Sequence, residues 1–428
     1  MKFINDGLPD LIKKINFLSK KTVLSIEDRN LILKKIAEAI QIERQTIIDL
    51  SKDDYEQAKA QGINESLLDR LELNENKIQS CIHGLEKLIN LDDPVGQIEF
   101  AKELDDDLLL IKKTYPIGVI GVILEARPDA FLQIIGIGIK TNNFMIIKPG
   151  VEAQSTCNYL MSIVHQILSK RQIPLEMLTL LHARSQIDIL LKEDEYIDLI
   201  IPRGSKTLVE YIQKNTNIPV MGHADGVCHI YVDEIGDIEQ SLKMIIDSKV
   251  QYPAACNAVE TVLINRSIAA EFLPLLALRL DQLQVNIYAS QQISRILNRD
   301  FPSPESWSIE YGDHSINLKI VNNLDEAITH INQYGSHHTD SIITKNAQNA
   351  EIFMQQVDSA NVYHNCSTRF ADGYRYGFGA EVGISTNKIL PRGPVAIEGL
   401  MTYKYHLVGQ LHTVDDYVNE TRKFKHSI

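Results

Sequence analysis

The chain lacks paired cysteines, a surplus of basic residues and any long uninterrupted apolar run. Its 428 residues carry a formal net charge of -13 at pH 7, which repels phosphate backbones and argues against nucleic acid as a partner. No CxxC pair occurs, and the five cysteines are widely spaced. This spacing argues against a disulfide framework or a zinc knuckle and indicates a reducing cytoplasm.

Signals for export and for membrane insertion are also missing. The N-terminal stretch MKFINDGLPDLIKKINF has no apolar block of the kind found in signal peptides. The most apolar region, residues 117–139, is split in its middle by Glu125, Arg127, Pro128 and Asp129. Because a lipid-spanning helix would not carry that cluster, the region predicts a buried strand, a turn and a buried helix.

The first hundred residues have the pattern of helices. Ser25 with Asp28 matches a helix start signal, and Ile32, Ile36 and Ile40 then fall on one face. We expect this part of the chain to form a helical layer that precedes the first sheet.

Apolar strand-like runs alternate with amphipathic helical stretches from residue 117 onward. This βαβ alternation is typical of parallel sheets with helices on both faces. A second series of strands starts near Cys228 and predicts two α/β domains, which we place at residues 1–227 (with 386–400 returning to it) and 228–385.

Two strand-like segments lie outside both series, LLLIKK at 108–113 and TYKYHLV at 402–408. Their pairing would form a small β arm from residues 104–115 and 401–428. Such an arm would need to cover its edges, for example against another subunit.

Dinucleotide binding has only weak local signals. The Rossmann fingerprint GxGxxG is absent after any strand. In IPRGSK, Gly204 and Ser205 start a helix that offers free N–H groups to an anion, although an ordinary βα turn has the same pattern. Lys148 and Arg127 each end a predicted parallel strand, where ligands bind. An isolated lysine at such a place is more often a solvated surface residue, and a salt bridge with Glu125 or Asp129 is the alternative for Arg127.

Cys256, in QYPAACNAVE, is the strongest candidate nucleophile. Small residues precede it and Asn257 follows, so backbone N–H groups at this bend can hold an oxyanion and favour the thiolate. Buried filler is the alternative. Cys366, near His364, is a rival in a polar loop.

No metal site is expected from the histidines. His337 and His338 are adjacent, and neighbouring residues on a strand point to opposite faces, so they cannot easily share one ion.

Longer motifs give the chain a resemblance to the aldehyde dehydrogenase superfamily. Within it, the chain is similar to the branch that reduces glutamyl phosphate. The match covers nearly everything from about residue 110, and it is carried by IGVIGVILEARPDA, DLIIPRGSKTLVEYI, GHADGVCHIYVD, PAACNAVETVLI, HINQYGSHHTDSIIT and NCSTRFADGYRYGFGAEVGIST with RGPVAIEGLMTYKY.

The resemblance implies a fold and an activity. The fold is aldehyde dehydrogenase-like α/β, with a cofactor domain, a catalytic domain and a small β oligomerisation arm. The activity is NADPH-dependent reduction of L-glutamyl 5-phosphate to glutamate 5-semialdehyde, a step of proline biosynthesis. It also implies a homo-oligomer, a dimer or a tetramer, and the kinase of the preceding step, glutamate 5-kinase, is a further candidate partner.

The resemblance also implies roles for particular residues. Cys256 stands at the place of the family's nucleophile, and Arg127 stands where hydrolytic members keep an oxyanion asparagine. Cofactor contacts are implied for Lys148, Pro149, Gly204, Ser205 and Glu310. Arg369 is a candidate for holding the substrate.

Two departures from the superfamily pattern bear on the chemistry. Hydrolytic members carry a general-base glutamate where this chain reads MGHADG, and a thioester without an activated water beside it survives for reduction. Many relatives have Arg-Gly-Gly where this chain has Lys148-Pro149-Gly150, which leaves NADPH and NADH both open. The rival functions are a nicotinamide-independent thiol hydrolase, a non-catalytic nucleotide-binding or scaffold protein, and another semialdehyde dehydrogenase of the superfamily.

Overall fold

The computed structural model describes residues 7–63, 65–223, 225–389 and 391–425. Its contacts divide the chain into two compact units. The first unit runs up to Gly204 and takes in Tyr211–Val220 and the chain from Ala396 onward. The second unit consists of Ser205–Glu210 and Met221–Val395. No helix in the described ranges is long and apolar enough to cross a membrane.

Helices open the first unit, as the sequence predicted. Ser25 caps the second of them by accepting a hydrogen bond from the Asp28 N–H at 3.1 Å, and its apolar face, including Ile32 and Ile36, is fully buried. The helices are α1 (Leu8–Ser19), α2 (Ile26–Ile42), α3 (Arg44–Ala60), α4 (Glu65–Leu71) and α5 (Glu75–Asn90).

The first unit contains a parallel sheet of four strands in the order β5-β4-β3-β6. Its central strands are apolar and wholly buried, as a sheet covered on both faces requires. The strands are β3 (Val119–Leu124), β4 (Phe144–Lys148), β5 (Leu178–Leu180) and β6 (Leu199–Arg203), with α6 (Pro128–Thr141), α7 (Gln154–Lys170) and α8 (Ser185–Leu190) between them; α9 (Lys206–Lys214) crosses the division of the chain.

The predicted pairing of the two outlying segments is confirmed. Strand β2 (Leu108–Pro116) pairs antiparallel with β15 (Met401–Val408) along eight residue pairs. The arm also contains a strand that the sequence did not single out, β1 (Ile98–Asp105), on the other side of β2. The short helix α15 (Val414–Val418) follows β15.

The second unit is built on a fully parallel sheet of six strands in the order β12-β11-β7-β8-β10-β9. The predicted second series of strands is present and begins at Cys228, whereas the short β9 has no counterpart in the sequence prediction. The strands are β7 (Cys228–Val232), β8 (Val259–Asn265), β9 (Asn286–Ala289), β10 (Ser315–Val321), β11 (Thr339–Ile343) and β12 (Asn361–His364); the helices are α10 (Ile238–Val250), α11 (Ala269–Gln282), α12 (Gln291–Leu297), α13 (Leu324–Tyr334) and α14 (Ala347–Gln356). A small antiparallel pair, β13 (Gly383–Ser385) and β14 (Gly393–Val395), completes the unit.

Candidate active site

Cys256 lies half-buried on the bend between α10 and β8. Two backbone hydrogen bonds close the bend, from Ala255 N–H to Tyr252 O at 3.2 Å and from Ala258 N–H to Ala255 O at 2.8 Å. Within the described ranges, the N–H groups of Cys256 and Asn257 donate no backbone hydrogen bond. Two neighbouring N–H groups beside a thiol have the arrangement that an oxyanion hole needs.

The segment before β7 packs its backbone directly on this bend. A Cβ added to Gly226 would lie 2.1 Å from the carbonyl oxygen of Cys256 and 2.4 Å from its Cα, so no larger residue fits. The buried Cys228 thiol donates to the same carbonyl oxygen, with an Sγ–O distance of 3.3 Å. The backbone of the nucleophile is therefore held in place by one glycine and one cysteine.

Two imidazole rings flank the Cys256 thiol. Ligand atoms of His223, Cys256 and His338 all lie within 4.8 Å of one another, and the two rings meet edge to face with centroids 4.8 Å apart. His223 Nδ1 donates to the carbonyl oxygen of Ile384 at 2.8 Å, so in the neutral ring the lone pair is on Nε2. His338 is fully buried, and its Nδ1 lies 2.8 Å from Thr339 Oγ1.

The surroundings of Cys256 favour its thiolate. Burial raises the pKa of this thiol, but the positive charges of His338 and His223 lower it by more, so the pKa lies well below the ordinary value. For Cys81 burial raises the pKa to about 12, and for Cys228 burial raises the pKa well above its ordinary value. Cys256 therefore has the environment of a reactive cysteine, and these two have the environment of inert ones.

The rival thiol, Cys366, is exposed in the loop after β12. The neighbouring His364 contacts the carbonyl oxygen of Thr344 through Nε2 at 3.0 Å, which engages one ring nitrogen with the main chain. Cys366 is also absent from the cluster of ligand atoms around Cys256.

Glu310, expected to contact the cofactor ribose, lies in the loop before β10. Burial raises the pKa of its carboxyl, and a hydrogen bond from the Gly226 N–H opposes that rise. Behind the loop, the fully buried Glu260 carboxylate accepts a charged hydrogen bond from Lys249 at 2.8 Å and a longer one from the Gly312 N–H at 3.4 Å. The ion pair of Lys249 and Glu260 thus links the loop of Glu310 to β8, directly after the nucleophile's bend.

Arg369 is buried in the short 3₁₀ turn Thr368–Phe370. Its Nε donates to the neutral Gln251 side chain at 2.9 Å, and its guanidinium lies 5.8 Å from the ring centroid of Tyr252. Burial and the nearby charge of Arg375 lower the pKa of Arg369, while the charge of Cys256 opposes this. A buried guanidinium whose charge interacts with that of the thiolate is a ready partner for an anion.

The Asn257 side chain holds two loops of the site together. Its Nδ2 donates to the carbonyl oxygen of Ala371 at 2.8 Å, which ties the bend of Cys256 to the loop that carries Arg369. The part of Asn257 that can act on a substrate is thus its backbone N–H.

Lys148 is the last residue of β4, and Arg127 follows the neighbouring strand β3 of the first unit, both at the carboxyl ends. Among the described residues, the buried Nε of Arg127 has no hydrogen-bond partner. Lys148 is only 4% exposed, its Nζ donates to the carbonyl oxygen of Pro149, and burial lowers the pKa of the ammonium group.

Gly204 approaches Glu125 so closely that a Cβ would lie 2.5 Å from its Oε2. In the second unit, the Ser205 carbonyl accepts from Val209 in the first turn of α9.

The sheet order explains why the sequence did not reveal the two histidines. β11, β7 and β8 are adjacent and parallel, and His338, His223 and Cys256 each stand shortly before one of these strands. The amino ends of adjacent parallel strands meet at one edge of a sheet, whereas ligand sites of parallel sheets are expected at the carboxyl ends. Polar residues just before the apolar strands β7, β8 and β11 would have been the usable signal.

Comparison with known proteins agrees with this architecture. The profile of the aldehyde dehydrogenase family matches residues 19–293. The chain is 49% identical to a γ-glutamyl phosphate reductase of Picosynechococcus (94% of each chain) and 47% identical to one of Brachyspira hyodysenteriae (98% of this chain, 99% of the other). The crystal structure of γ-glutamyl phosphate reductase from Thermotoga maritima matches with a TM-score of 0.91 at 36% identity, covering 94% of this chain and 99% of that one.

Proposed function

Because the chain belongs to the aldehyde dehydrogenase family, and within it to the γ-glutamyl phosphate reductases, we propose that it reduces L-glutamyl 5-phosphate to L-glutamate 5-semialdehyde and phosphate. This reaction is a step of proline biosynthesis. The observation that carries the proposal is the Cys256 thiol between two imidazoles, on a bend where, among the described residues, two N–H groups have no backbone acceptor.

The first step is acyl transfer to sulfur. The Cys256 thiolate attacks the acyl carbon, a C–S bond forms, and the C–O bond to the phosphoryl group breaks. The N–H groups of Cys256 and Asn257 stabilise the tetrahedral oxyanion, and His223 and His338 hold the proton that the thiol gives up. The product of this step is a thioester and free phosphate.

Fixed cations are needed for the anionic substrate. Arg369 is the candidate in the second unit, because its buried guanidinium has a neutral partner at Nε and interacts with the charge of Cys256. Arg127, in the first unit, is the candidate for the oxyanion or the phosphoryl group, because its buried Nε has no partner within the described part of the chain. A guanidinium that cannot lose its charge suits both roles.

NADPH is the cofactor that we propose, and the residues present fit a dinucleotide. The buried Lys148 ammonium directs one of its three N–H donors to the Pro149 carbonyl, and a ribose hydroxyl or phosphate would accept from the others. Gly204 and Ser205 precede α9, whose first N–H groups suit a diphosphate, and Glu310 is the candidate for the ribose near the nicotinamide. When bound, the cofactor supplies the hydride that reduces the thioester.

Reduction requires that water not compete for the thioester. The segment MGHADG lacks the glutamate of hydrolytic members, and its Asp225 is paired with Lys206 at 2.6 Å. The loss of an activated water favours reduction over oxidation to the free acid.

A nicotinamide-independent thiol hydrolase is the second candidate function. A cysteine beside a histidine is also the arrangement that activates thiols in hydrolases. The short distances from Cys256 to His223 and His338 are the observation that favours this second function. Such an enzyme would turn over without consuming NADPH.

Assembly through the arm is also part of the proposal. Alternate residues of β15, Tyr403, Tyr405 and Leu407, are about half exposed and form an apolar row beside the exposed Phe100 of β1. An exposed apolar row on a sheet favours association with another subunit, so we propose a homo-oligomer, a dimer or a tetramer. Glutamate 5-kinase, which makes the unstable acyl phosphate, is the candidate protein partner. The five free cysteines fit a protein of the reducing cytoplasm.

The experiment that tests the function is oxidation of glutamate 5-semialdehyde with NADP, followed by NADPH absorbance with and without inorganic phosphate. We expect turnover that depends on phosphate, because phosphate must take the acyl group from Cys256. Equal turnover without phosphate would contradict the reductase assignment, and absence of any nicotinamide chemistry would favour the hydrolase.

A further inference from the structure

The three side chains around the nucleophile also form a set of metal ligands. His223, Cys256 and His338 offer two imidazole nitrogens and one sulfur, and these atoms all lie within 4.8 Å of one another. Among the described residues, this is the one group of three or more histidine, cysteine, aspartate or glutamate side chains whose ligand atoms lie so close together. Two nitrogens and a thiolate are the ligand types that Zn²⁺ prefers, and three protein ligands leave one position open.

The surrounding contacts orient these ligands as in a metal site. The hydrogen bond from His223 Nδ1 to the Ile384 carbonyl, at 2.8 Å, fixes the ring and places the lone pair of the neutral ring on Nε2. The Nε2 of His338 is buried without a hydrogen-bond partner in the described structure. Because a buried nitrogen without a partner is costly, this atom points to a ligand.

Access for an ion comes from the exposed side of the cluster. His338 is buried, whereas His223 and Cys256 are both partly exposed. An ion entering from solvent would meet the sulfur and the His223 ring and keep water in its fourth position.

We propose that His223, Cys256 and His338 bind a thiophilic divalent cation such as Zn²⁺, and that this binding reversibly blocks the nucleophile. The proton that the thiol and the two imidazoles share passes to solvent as the metal–sulfur and metal–nitrogen bonds form, and no oxidation or reduction takes place. Acylation and metal binding exclude each other, since both use the same sulfur. The inhibitory consequence rests on the proposed function, in which Cys256 is the nucleophile, whereas the binding itself does not.

Cobalt(II) is the probe that tests the site, because its spectrum reports thiolate coordination without any enzyme activity. The full-length, metal-free protein is titrated with Co²⁺ in the presence of a reductant that does not chelate metals. We expect one equivalent to produce a thiolate-to-metal charge-transfer band and the intense visible bands of tetrahedral cobalt. Zn²⁺ should then displace the cobalt and abolish both signals.

Three variants and one control decide which residues bind. Cys256→Ser should remove the charge-transfer band, and His223→Ala or His338→Ala should weaken Co²⁺ binding at least about tenfold. The matched control Cys366→Ser, which alters an exposed thiol outside the cluster, should bind Co²⁺ like the unaltered protein. Circular dichroism and thermal melting confirm that each variant is folded.

The proposal is overturned if the unaltered protein gives no charge-transfer band, or if the band persists in Cys256→Ser. Phosphate-dependent semialdehyde oxidation, measured separately on metal-free protein with a chelator present, tests the proposed function. Activity without cobalt binding would refute only the proposed metal site. Cobalt binding without activity would refute only the proposed function. In an active protein, micromolar Zn²⁺ should inhibit and a chelator should restore the rate.

Discussion

Cys256 is distinguished from the other cysteines by its neighbours, not by its position in the sequence. The sequence indicated the nucleophile through small residues and a bend. It did not indicate His223 and His338, because their proximity depends on the order of β11, β7 and β8 in the sheet. Side chains brought together by parallel crossovers are invisible to local pattern, so this part of the site required the structure.

The thiolate character of Cys256 predicts an unusual dependence of its alkylation on pH. An ordinary thiol, with a pKa of about 8.5, loses roughly fiftyfold in alkylation rate between about pH 8.5 and 6.5. Since the pKa of Cys256 lies well below its ordinary value, its rate should fall by a much smaller factor over that range. Mass spectrometry of iodoacetamide-treated protein measures this rate. The free peptide QYPAACNAVE is the control, and a parallel fall in both would refute the assignment.

Gly226 gives a second prediction at the scale of one residue. Gly226→Ala places a Cβ against the Cys256 backbone, so the bend must shift, and a displacement of about 1 Å should cost about a hundredfold in kcat. Gly236→Ala is the matched control, because the nearest atom to its added Cβ is 4.0 Å away. Phosphate-dependent semialdehyde oxidation and thermal melting of both variants provide the measurement. Normal kcat in a folded Gly226→Ala protein would contradict the described packing.

Elements of secondary structure were the most predictable part of the molecule. The helix start at Ser25, both series of strands and the pairing of β2 with β15 follow from capping, apolar runs and period, which are local properties. β1 and β9 were missed because β1 is largely exposed and β9 has four residues. Neither gives the continuous apolar run by which a buried strand is recognised.

The helix α2 is fixed to its neighbours by a buried arginine. Arg29 is 1% exposed, and its Nη2 donates to both carboxylate oxygens of Asp93 at 2.8 Å. Its Nη1 reaches the carbonyl oxygen of the buried Lys140 on α6. Arg29 therefore joins α2 to the segment after α5 and to the helix that covers the first sheet.

Removal of this arginine should destabilise the first unit. Arg29→Met leaves Asp93 and the Lys140 carbonyl without their partner, which should lower the free energy of unfolding by about 3 kcal/mol. Lys35→Met, on the same helix, removes an exposed pair with Glu38 and should cost about 0.5 kcal/mol or less. Denaturant unfolding of the two variants gives both free energies. Equal losses would show that the buried hydrogen bonds of Arg29 stabilise the protein no more than the exposed pair does.

At the scale of the whole molecule, the exposed row on the arm is the feature that bears on assembly. Tyr405→Glu combined with Leu407→Lys puts charges on the face that we expect another subunit to cover. Light scattering after gel filtration should show a smaller species than the unaltered protein. Lys404→Gln, on the opposite face of β15, where its Nζ lies over the ring of Tyr115, should leave the mass unchanged. An unaltered mass in the double variant would show that the exposed row of the arm is not part of the subunit interface.

Peptide mass mapping of a trapped intermediate shows whether Cys256 carries the acyl group. The enzyme is mixed with glutamate 5-semialdehyde and NADP without phosphate, and then quenched in acid and digested. We predict one equivalent of NADPH and a γ-glutamyl thioester on Cys256, because phosphate is absent and no activated water can discharge it. An unmodified Cys256 peptide alongside formation of NADPH would contradict the account.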